Sequence, residues 1–337
     1  MIDGRDAELG RDIPRDVGPD DLIVITGAGG FIAGALTRYF HNLGYRRIRA
    51  IDRKPLPEWY QRVPGVECLS MDLSKELNAI RAVEGATEVY NLAADMGGMG
   101  FIERFRVECL RSVLINTNLT EAAYRAGAKR YFFSSSACVY RNMNPEEPEL
   151  SEQEAYPALP DNEYGWEKLY AERVAQAYGR RHGMVVRLAR FQNCFGPEGT
   201  WRGGREKAPA ALCRKVAEAE DNGTIEVWGD GTASRAFTYI DDMVDGIVTL
   251  MQSDLEGGAN IGRREYVTVD GLVRHIAEIA GKRIAIRHVE GPVGVKARNF
   301  RVDRMGAIGW ESKVSLREGL SRTYAWIAAQ VEAHRPA

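Results

Sequence analysis

Tyr164 and Lys168 stand four residues apart in "YGWEK", a spacing that places both side chains on one face of a helix. An ammonium beside a phenol favours the phenolate. Such a phenolate can draw a proton from a hydroxyl as hydride leaves the same carbon. Hydride needs an acceptor, and "VITGAGGFIAG" (24–34) has the form of a site for one. Gly27 permits a tight turn after a strand. Gly30 lets the backbone approach a pyrophosphate where a helix begins, with free N–H groups and the helix dipole favouring an anion. Phe31 and Ile32 open that helix and belong to the same expected contact set. Asp52 follows Gly27 by 25 residues and ends a second strand-like run. That is where a carboxylate takes the adenosine ribose hydroxyls in a dinucleotide site. The carboxylate repels a 2′-phosphate, so NAD is expected rather than NADP, with the adjacent Arg53 as the opposing feature. Asp72, ending a third run, is a candidate for the adenine. Leu92, Ala93 and Ala94, ending a fourth, complete the expected cofactor set. Each motif alone is common; a plain glycine turn and an unrelated Tyr/Lys pair are the bland alternatives.

These residues need a frame. "LIVIT" (22–26), "IRAID" (48–52), "VECLSMD" (66–72), "EVYNLA" (88–93), "RYFFSSS" (130–136) and "MVVRLAR" (184–190) read as buried strands. Helix-like stretches lie between them, near 30–43, 74–84 and 107–126. Strands alternating with helices imply parallel pairing with helices on both faces. Ser136 then sits at a hydroxyl-rich strand end, where it could orient a substrate hydroxyl. After about residue 191 the alternation weakens into Gly- and Pro-rich loops with helices near 208–220, 241–252 and 269–280. The expected organisation is a flexible arm over 1–20, a dinucleotide-binding domain over 21–190, and a ligand-binding lobe built mainly from 191–337, with segments able to return to the first domain. "MGGMG" (96–100) stands out: three glycines within five residues, unsuited to a helix or strand interior. It follows the fourth strand, at the sheet end where α/β ligands bind. A bare backbone there is expected to pass close to the ligand, with Met96 and Met99 as adaptable walls; the bland reading is a surface turn.

Composition sets limits. The chain has 337 residues, 45% hydrophobic and 27% charged, with a formal net charge of −2. That balance lacks the basic stripe of a nucleic-acid binder, and Arg46–Arg47 and Arg180–Arg181 read as solvated surface. No apolar run is long enough to span a bilayer, and the first 21 residues lack the apolar segment of a secretory signal. Five cysteines, odd in number and without a CxxC pair, suit free thiols in a reducing cytoplasm. Five scattered histidines offer no metal spacing, so no metal is expected.

The glycine fingerprint, "SSSAC" and "YGWEK" together resemble the extended short-chain dehydrogenase/reductase superfamily. The resemblance implies a Rossmann doubly wound parallel sheet, a smaller mixed α/β C-terminal substrate domain, bound NAD and, in many members, a nucleotide-sugar substrate. Three longer stretches narrow it: "NLAADMGGMGFIE" (91–103), "SSSACVY" (134–140) and "RFQNCFGPEGTWRGGREKAPAALCRK" (190–215). From about residue 22 to about 330 the chain resembles the GDP-mannose 3,5-epimerase family.

That family's chemistry would explain the residues. Oxidising carbon 4 of a hexose makes the hydrogens at carbons 3 and 5 alpha to a carbonyl, and inversion needs a base on one ring face and an acid on the other. Simple 4-epimerases tend to carry threonine where this chain has Cys138. A thiol, with an ordinary pKa of about 8.5, exchanges protons near neutrality. By resemblance Cys138 is the base and Lys207, in "GGREKAP", the acid. Cys68, Cys109, Cys194 and Cys213 are read as inert packing. The resemblance further implies substrate contacts from Gly97, Gly98, Ser136, Ala137, Cys138, Asn193, Glu206, Lys207, Ala208 and Lys215, and phosphate contacts from Arg235 and Arg298. It also implies a homodimer through the 107–126 and 164–182 helices. Departures from the family occur at Ala233–Ser234, at Phe300–Arg301, in "YRNM" (140–143), and in an expected shorter tail. The rival expectations are another nucleotide-sugar 4-epimerase or 4,6-dehydratase, or a catalytically silent NAD-binding protein.

Overall fold

In the computed structural model, residues 17–144, 146–292 and 294–334 are described. Residues 1–16 of the expected N-terminal arm lie outside them. The six apolar runs form β1 (Ile23–Thr26), β2 (Ile48–Asp52), β3 (Glu67–Ser70), β4 (Glu88–Asn91), β5 (Arg130–Ser136) and β6 (Val185–Phe191). The later part of the chain adds β7 (Asn193–Phe195), β8 (Thr224–Trp228), β9 (Ser234–Tyr239), β10 (Gly258–Ile261), β11 (Tyr266–Thr268) and β12 (Ala285–Val289).

The main sheet runs β10-β6-β5-β4-β1-β2-β3 and every pairing in it is parallel. Strand order reverses at β1, whose neighbours are β2 and β4, so a crevice opens at the carboxyl ends of β1 and β4. Alternate side chains feed two cores, one on each face of the sheet. Ile23, Ile25 and Phe132 join one cluster, while Val24, Tyr131 and Phe133 join the other. That is the period of two of a strand buried on both sides.

The C-terminal part has the mixed α/β make-up that the resemblance implies, although its residues by themselves read as loops and helices. Among the described residues it holds six short strands. β11, β9 and β7 make a three-stranded sheet, β12 pairs with β8, and β10 returns to the main sheet beside β6. Several have only three to five residues, and their partners lie far off in sequence, so no local periodicity announces them. "MGGMG" is also partly different. Gly97 and Gly98 are non-helical, but Gly100 lies inside a short helix, Met99–Arg104, where an added Cβ would meet the Trp228 ring at 3.4 Å.

Helix Glu163–His182 carries the Tyr/Lys pair and is tied down at both ends. Asn162 caps it, its Oδ1 accepting from Gly165 N–H at 2.9 Å, and Gly183 ends it in a left-handed conformation. In its middle Glu172 pairs with Arg190 of β6 at 2.7 Å, both side chains at most 4% exposed. Ser135 donates to the same carboxylate, and Arg190 reaches Tyr140 Oη and the Glu152 carbonyl.

Candidate active site

The glycine turn sits in the crevice. Gly27 has φ +76°, and a Cβ there would stand 2.8 Å from the Leu92 carbonyl oxygen. Its bareness is therefore required by the end of β4. Gly30 is the N-cap of helix Phe31–Asn42, and no side chain caps that helix. Its first N–H groups, on Phe31 and Ile32, are left for an anion. Asp52 accepts from Gly29 N–H at 3.1 Å and Lys54 N–H at 2.9 Å, which aims the carboxylate at the turn. Lys54, not foreseen, donates from Nζ to the Gly29 carbonyl at 3.0 Å. Arg53 is drawn off to Asp95 at 2.9 Å. Asp72 is exposed and spends Oδ1 on the Ser74 hydroxyl and N–H; burial raises its pKa, and these bonds outweigh that and lower it. Ala93 N–H bonds Thr26 Oγ1 at 3.3 Å, and Leu92, Ala93 and Ala94 line the half-buried exit of β4.

The protein also buries an amine. Lys168 is 1% exposed, its Nζ has no hydrogen-bond partner, and it lies over the rings of Phe133 and Tyr164. Burial pushes its pKa down, with Glu167, Glu172 and Cys138 opposing. An orphaned buried ammonium needs hydroxyl or phosphate oxygens, and a dinucleotide in the crevice brings ribose hydroxyls. Together with the uncapped helix and Asp52, this is a set that fits NAD.

Tyr164, 5% exposed, has its pKa raised well above the ordinary value by burial and by Cys138 and Glu167, while a hydrogen bond with Ser136 pulls the other way. Ser136 Oγ also accepts from Cys138 N–H at 3.1 Å and caps the single turn Ala137–Val139. Cys138 is half-buried against Phe101, Ile102, Cys109 and Tyr164. An added Cβ at Gly165 would overlap the Cys138 carbonyl oxygen. The glycine of "YGWEK" thus lets the helix rest directly on the thiol-bearing turn.

Lys207 is the N-cap of helix Ala208–Glu218, with Ala208 at its first position. Burial lowers its pKa, opposed by Cys194 and Cys138. "MGGMG" places it. Gly98 N–H donates to the Arg205 carbonyl at 3.1 Å, and a Cβ on Gly98 would stand 2.6 Å from the Glu206 carbonyl oxygen. The bare backbone there admits the 205–207 segment, a reason that differs from the expected approach to a ligand. Gly97 is packed against Phe101 in the same way. Glu206 accepts from Gly204 N–H at 2.6 Å and pairs with Arg214. Lys215 donates to the Glu226 carbonyl at 2.6 Å, and Asn193 opens β7 opposite Phe237.

Arg235 and Arg298 lie near each other. Burial and Arg298 push the Arg235 pKa down to about 10. Arg235 donates to the carbonyls of Ser234, Val295 and Lys296. Two neighbouring guanidinium groups suit a diphosphate.

Residues 23–262 match the NAD dependent epimerase/dehydratase family. The chain belongs to that family. It is 40% identical over 315 residues to GDP-mannose 3,5-epimerase of Arabidopsis thaliana, covering 92% of this chain and 83% of that one. GDP-L-fucose synthase 1 of the same plant is 30% identical over 270 residues, covering 77% and 83%. Among solved structures, UDP-glucose 4-epimerase of Thermotoga maritima, with UDP-glucose, superposes with a TM-score of 0.82 at 22% identity over 92% of this chain and 99% of that one. MoeE5 in complex with UDP-glucuronic acid and NAD has a TM-score of 0.78 at 28% identity, covering 92% and 99%.

This member of the NAD dependent epimerase/dehydratase family has the doubly wound α/β fold, the cofactor and the enzyme class expected from its residues. Besides Lys54, three neighbours of the site were not foreseen. Asp161 binds Arg298. Cys194, read as inert, acts on the charge of Lys207. Glu167 adjoins Lys168 and takes a bond from Asn116 while its Oε2 has no partner. Glu167 alone had a local signal, its place next to Lys168; the other two come close only through the fold.

Proposed function

We propose that the chain is a GDP-mannose 3,5-epimerase, converting GDP-D-mannose to GDP-L-galactose, GDP-L-gulose or both. The observation that supports the reading is that Cys138 packs against Tyr164 and bonds Ser136 Oγ through its N–H, with Lys168 lying over the Tyr164 ring; Cys138 also acts on the charge of Lys207. The name of the Arabidopsis relative supports the choice of sugar nucleotide. NAD, when bound, supplies reversible oxidation at carbon 4 of the hexose, which makes the C–H bonds at carbons 3 and 5 acidic. Tyr164 Oη takes and returns the proton of the carbon-4 hydroxyl, with Ser136 orienting that hydroxyl and the Lys168 ammonium favouring the phenolate. Cys138 Sγ removes a proton from the ring carbon on one face, and Lys207 Nζ delivers one to the other face. Inversion needs both groups, since one alone would return the proton where it came from. Gly97, Gly98, Ala137, Asn193, Glu206, Ala208 and Lys215 frame the sugar nucleotide, and Arg235 and Arg298 its diphosphate.

The protein also pairs with a second copy, in this reading. Val107, Leu110, Leu114, Trp166 and Tyr170 are large apolar side chains left exposed on the helices between 106 and 182. The five free cysteines suit a cytoplasmic location.

The test is incubation with GDP-mannose in deuterated water. The expected result is deuterium at carbons 3 and 5 and one or both of the two epimeric products. In Cys138→Ala, exchange is lost while NAD binding persists. Retained exchange at both carbons would remove Cys138 as the base, and turnover without any exchange would point to a 4-epimerase.

A further inference from the structure

Arg205 stands two residues before Lys207, and both its side chain and its backbone are anchored on the segment that follows β4. Its Nη1 donates to Asp95 Oδ1 at 2.9 Å and to the Met96 carbonyl at 3.3 Å. Its guanidinium lies 3.9 Å from the centre of the Phe101 ring. Its own carbonyl accepts from Gly98 N–H at 3.1 Å. The ring beneath it stacks on Phe105 and belongs to the apolar cluster that contains Tyr164, with Cys138 packed against that cluster. The place of Arg205 is therefore set relative to the tyrosine of the site.

Asp95 is fixed as firmly. Its side chain is 11% exposed, whereas that of Arg205 is 43% exposed. Its N–H donates to Ser112 Oγ at 3.0 Å, where helix Ser112–Arg125 begins. Its second oxygen takes Arg53 at 2.9 Å, next to Asp52 of the cofactor crevice. A single exposed ion pair would hold a loop weakly. Here a carboxylate, a carbonyl and an aromatic face converge on one guanidinium, and the backbone of the same residue is bonded to the same segment. Glu206 turns elsewhere, to Gly204 N–H and Arg214. Lys207 follows as the N-cap of helix Ala208–Glu218, its carbonyl accepting from Ala211 N–H at 3.0 Å.

We propose that Arg205, clasped by Asp95, is the positioning residue that fixes Lys207 against the site. The inference rests on Lys207 being the acid, and one of its two measurements needs no turnover. Amide hydrogen exchange is followed by mass spectrometry in the NAD-loaded protein without sugar. The peptides watched are those holding Gly98 and Ala211, whose N–H groups donate to the Arg205 and Lys207 carbonyls. Arg205→Met keeps an apolar chain on Phe101 and loses the charge; it is expected to speed exchange in both peptides about tenfold. Asp95→Asn does the same, and the double variant is no faster than either single one.

The second measurement is deuterium uptake at carbons 3 and 5 of GDP-mannose. In Arg205→Met its kcat falls about a hundredfold, the cost of a misplaced group, while KM and the reduction of bound cofactor on adding the sugar nucleotide are kept. Arg205→Lys, which keeps a cation for Asp95, recovers part of the rate. Unchanged exchange in Arg205→Met, or a loss of cofactor reduction as large as the loss of uptake, would overturn the proposal. If amide exchange speeds as expected yet Lys207→Met still inverts both carbons, the clasp stands and the assignment of the acid falls.

Discussion

Lys168 carries a cost that its own environment does not cover. Its amine is buried without a hydrogen-bond partner, and burial outweighs the nearby Glu167, Glu172 and Cys138 to lower its pKa. The unfolded chain keeps the proton up to about pH 10.4; the folded protein releases it earlier. Between those limits the unfolded state binds more protons, so stability rises with pH there. Cofactor-free wild type is therefore expected to gain stability relative to Lys168→Met on going from neutral pH toward the ordinary lysine value. Saturating NAD should flatten the trend, because ribose hydroxyls give the ammonium partners. Urea melts at a series of pH values check this, and a difference independent of pH would contradict it. Tyr164 is displaced in the opposite sense, its raised pKa coming first from burial. The pair is thus poised for a neutral phenol until a ligand changes its surroundings.

At the scale of elements, the short helix Met99–Arg104 and the segment before helix Ala208–Glu218 form one joint, and Gly98 is its hinge pin. An Ala at 98 would press on the Glu206 carbonyl, an overpacking worth about 1–3 kcal/mol. It would also displace Lys207, and a misplacement of order 1 Å costs about a hundredfold in rate. Gly98→Ala is expected to lower kcat by about that factor with NAD affinity unchanged. Gly100→Ala, whose Cβ would only touch the Trp228 ring at 3.4 Å, should behave nearly as wild type. Equal losses in the two variants, measured by turnover and NAD titration, would refute the joint. The glycine cluster could be seen in the sequence as an anomaly. Its purpose could not, because the carbonyl it makes room for is more than a hundred residues away.

At the scale of the whole molecule, several of the exposed large apolar side chains fall on two helices that pack together. Val107, Leu110 and Leu114 lie on the helices between 106 and 125, and Trp166 and Tyr170 lie one turn apart on helix Glu163–His182. Exposed apolar patches of this kind mark association surfaces. The double variant Leu114→Glu, Tyr170→Glu is expected to run as a monomer in light scattering while the wild type runs as a dimer. A monomeric wild type would overturn the pairing.

The sequence by itself determined six of the seven strands of the main sheet, the glycine turn beside them and the Tyr164–Lys168 pair. All three depend on local patterns: strand periodicity, a glycine turn followed by an acidic strand end, and a helical spacing of four. β2, β5 and helix Val269–Ala280 ended at the residues their patterns indicated. What the tertiary structure decided was everything that depends on distant segments meeting. β10 joins β6 across more than sixty residues, Gly98 receives Glu206, and Arg298 reaches Asp161 across well over a hundred. Local propensity is written in neighbouring residues and can be read from them; the approach of two remote backbones is set by how the whole core packs.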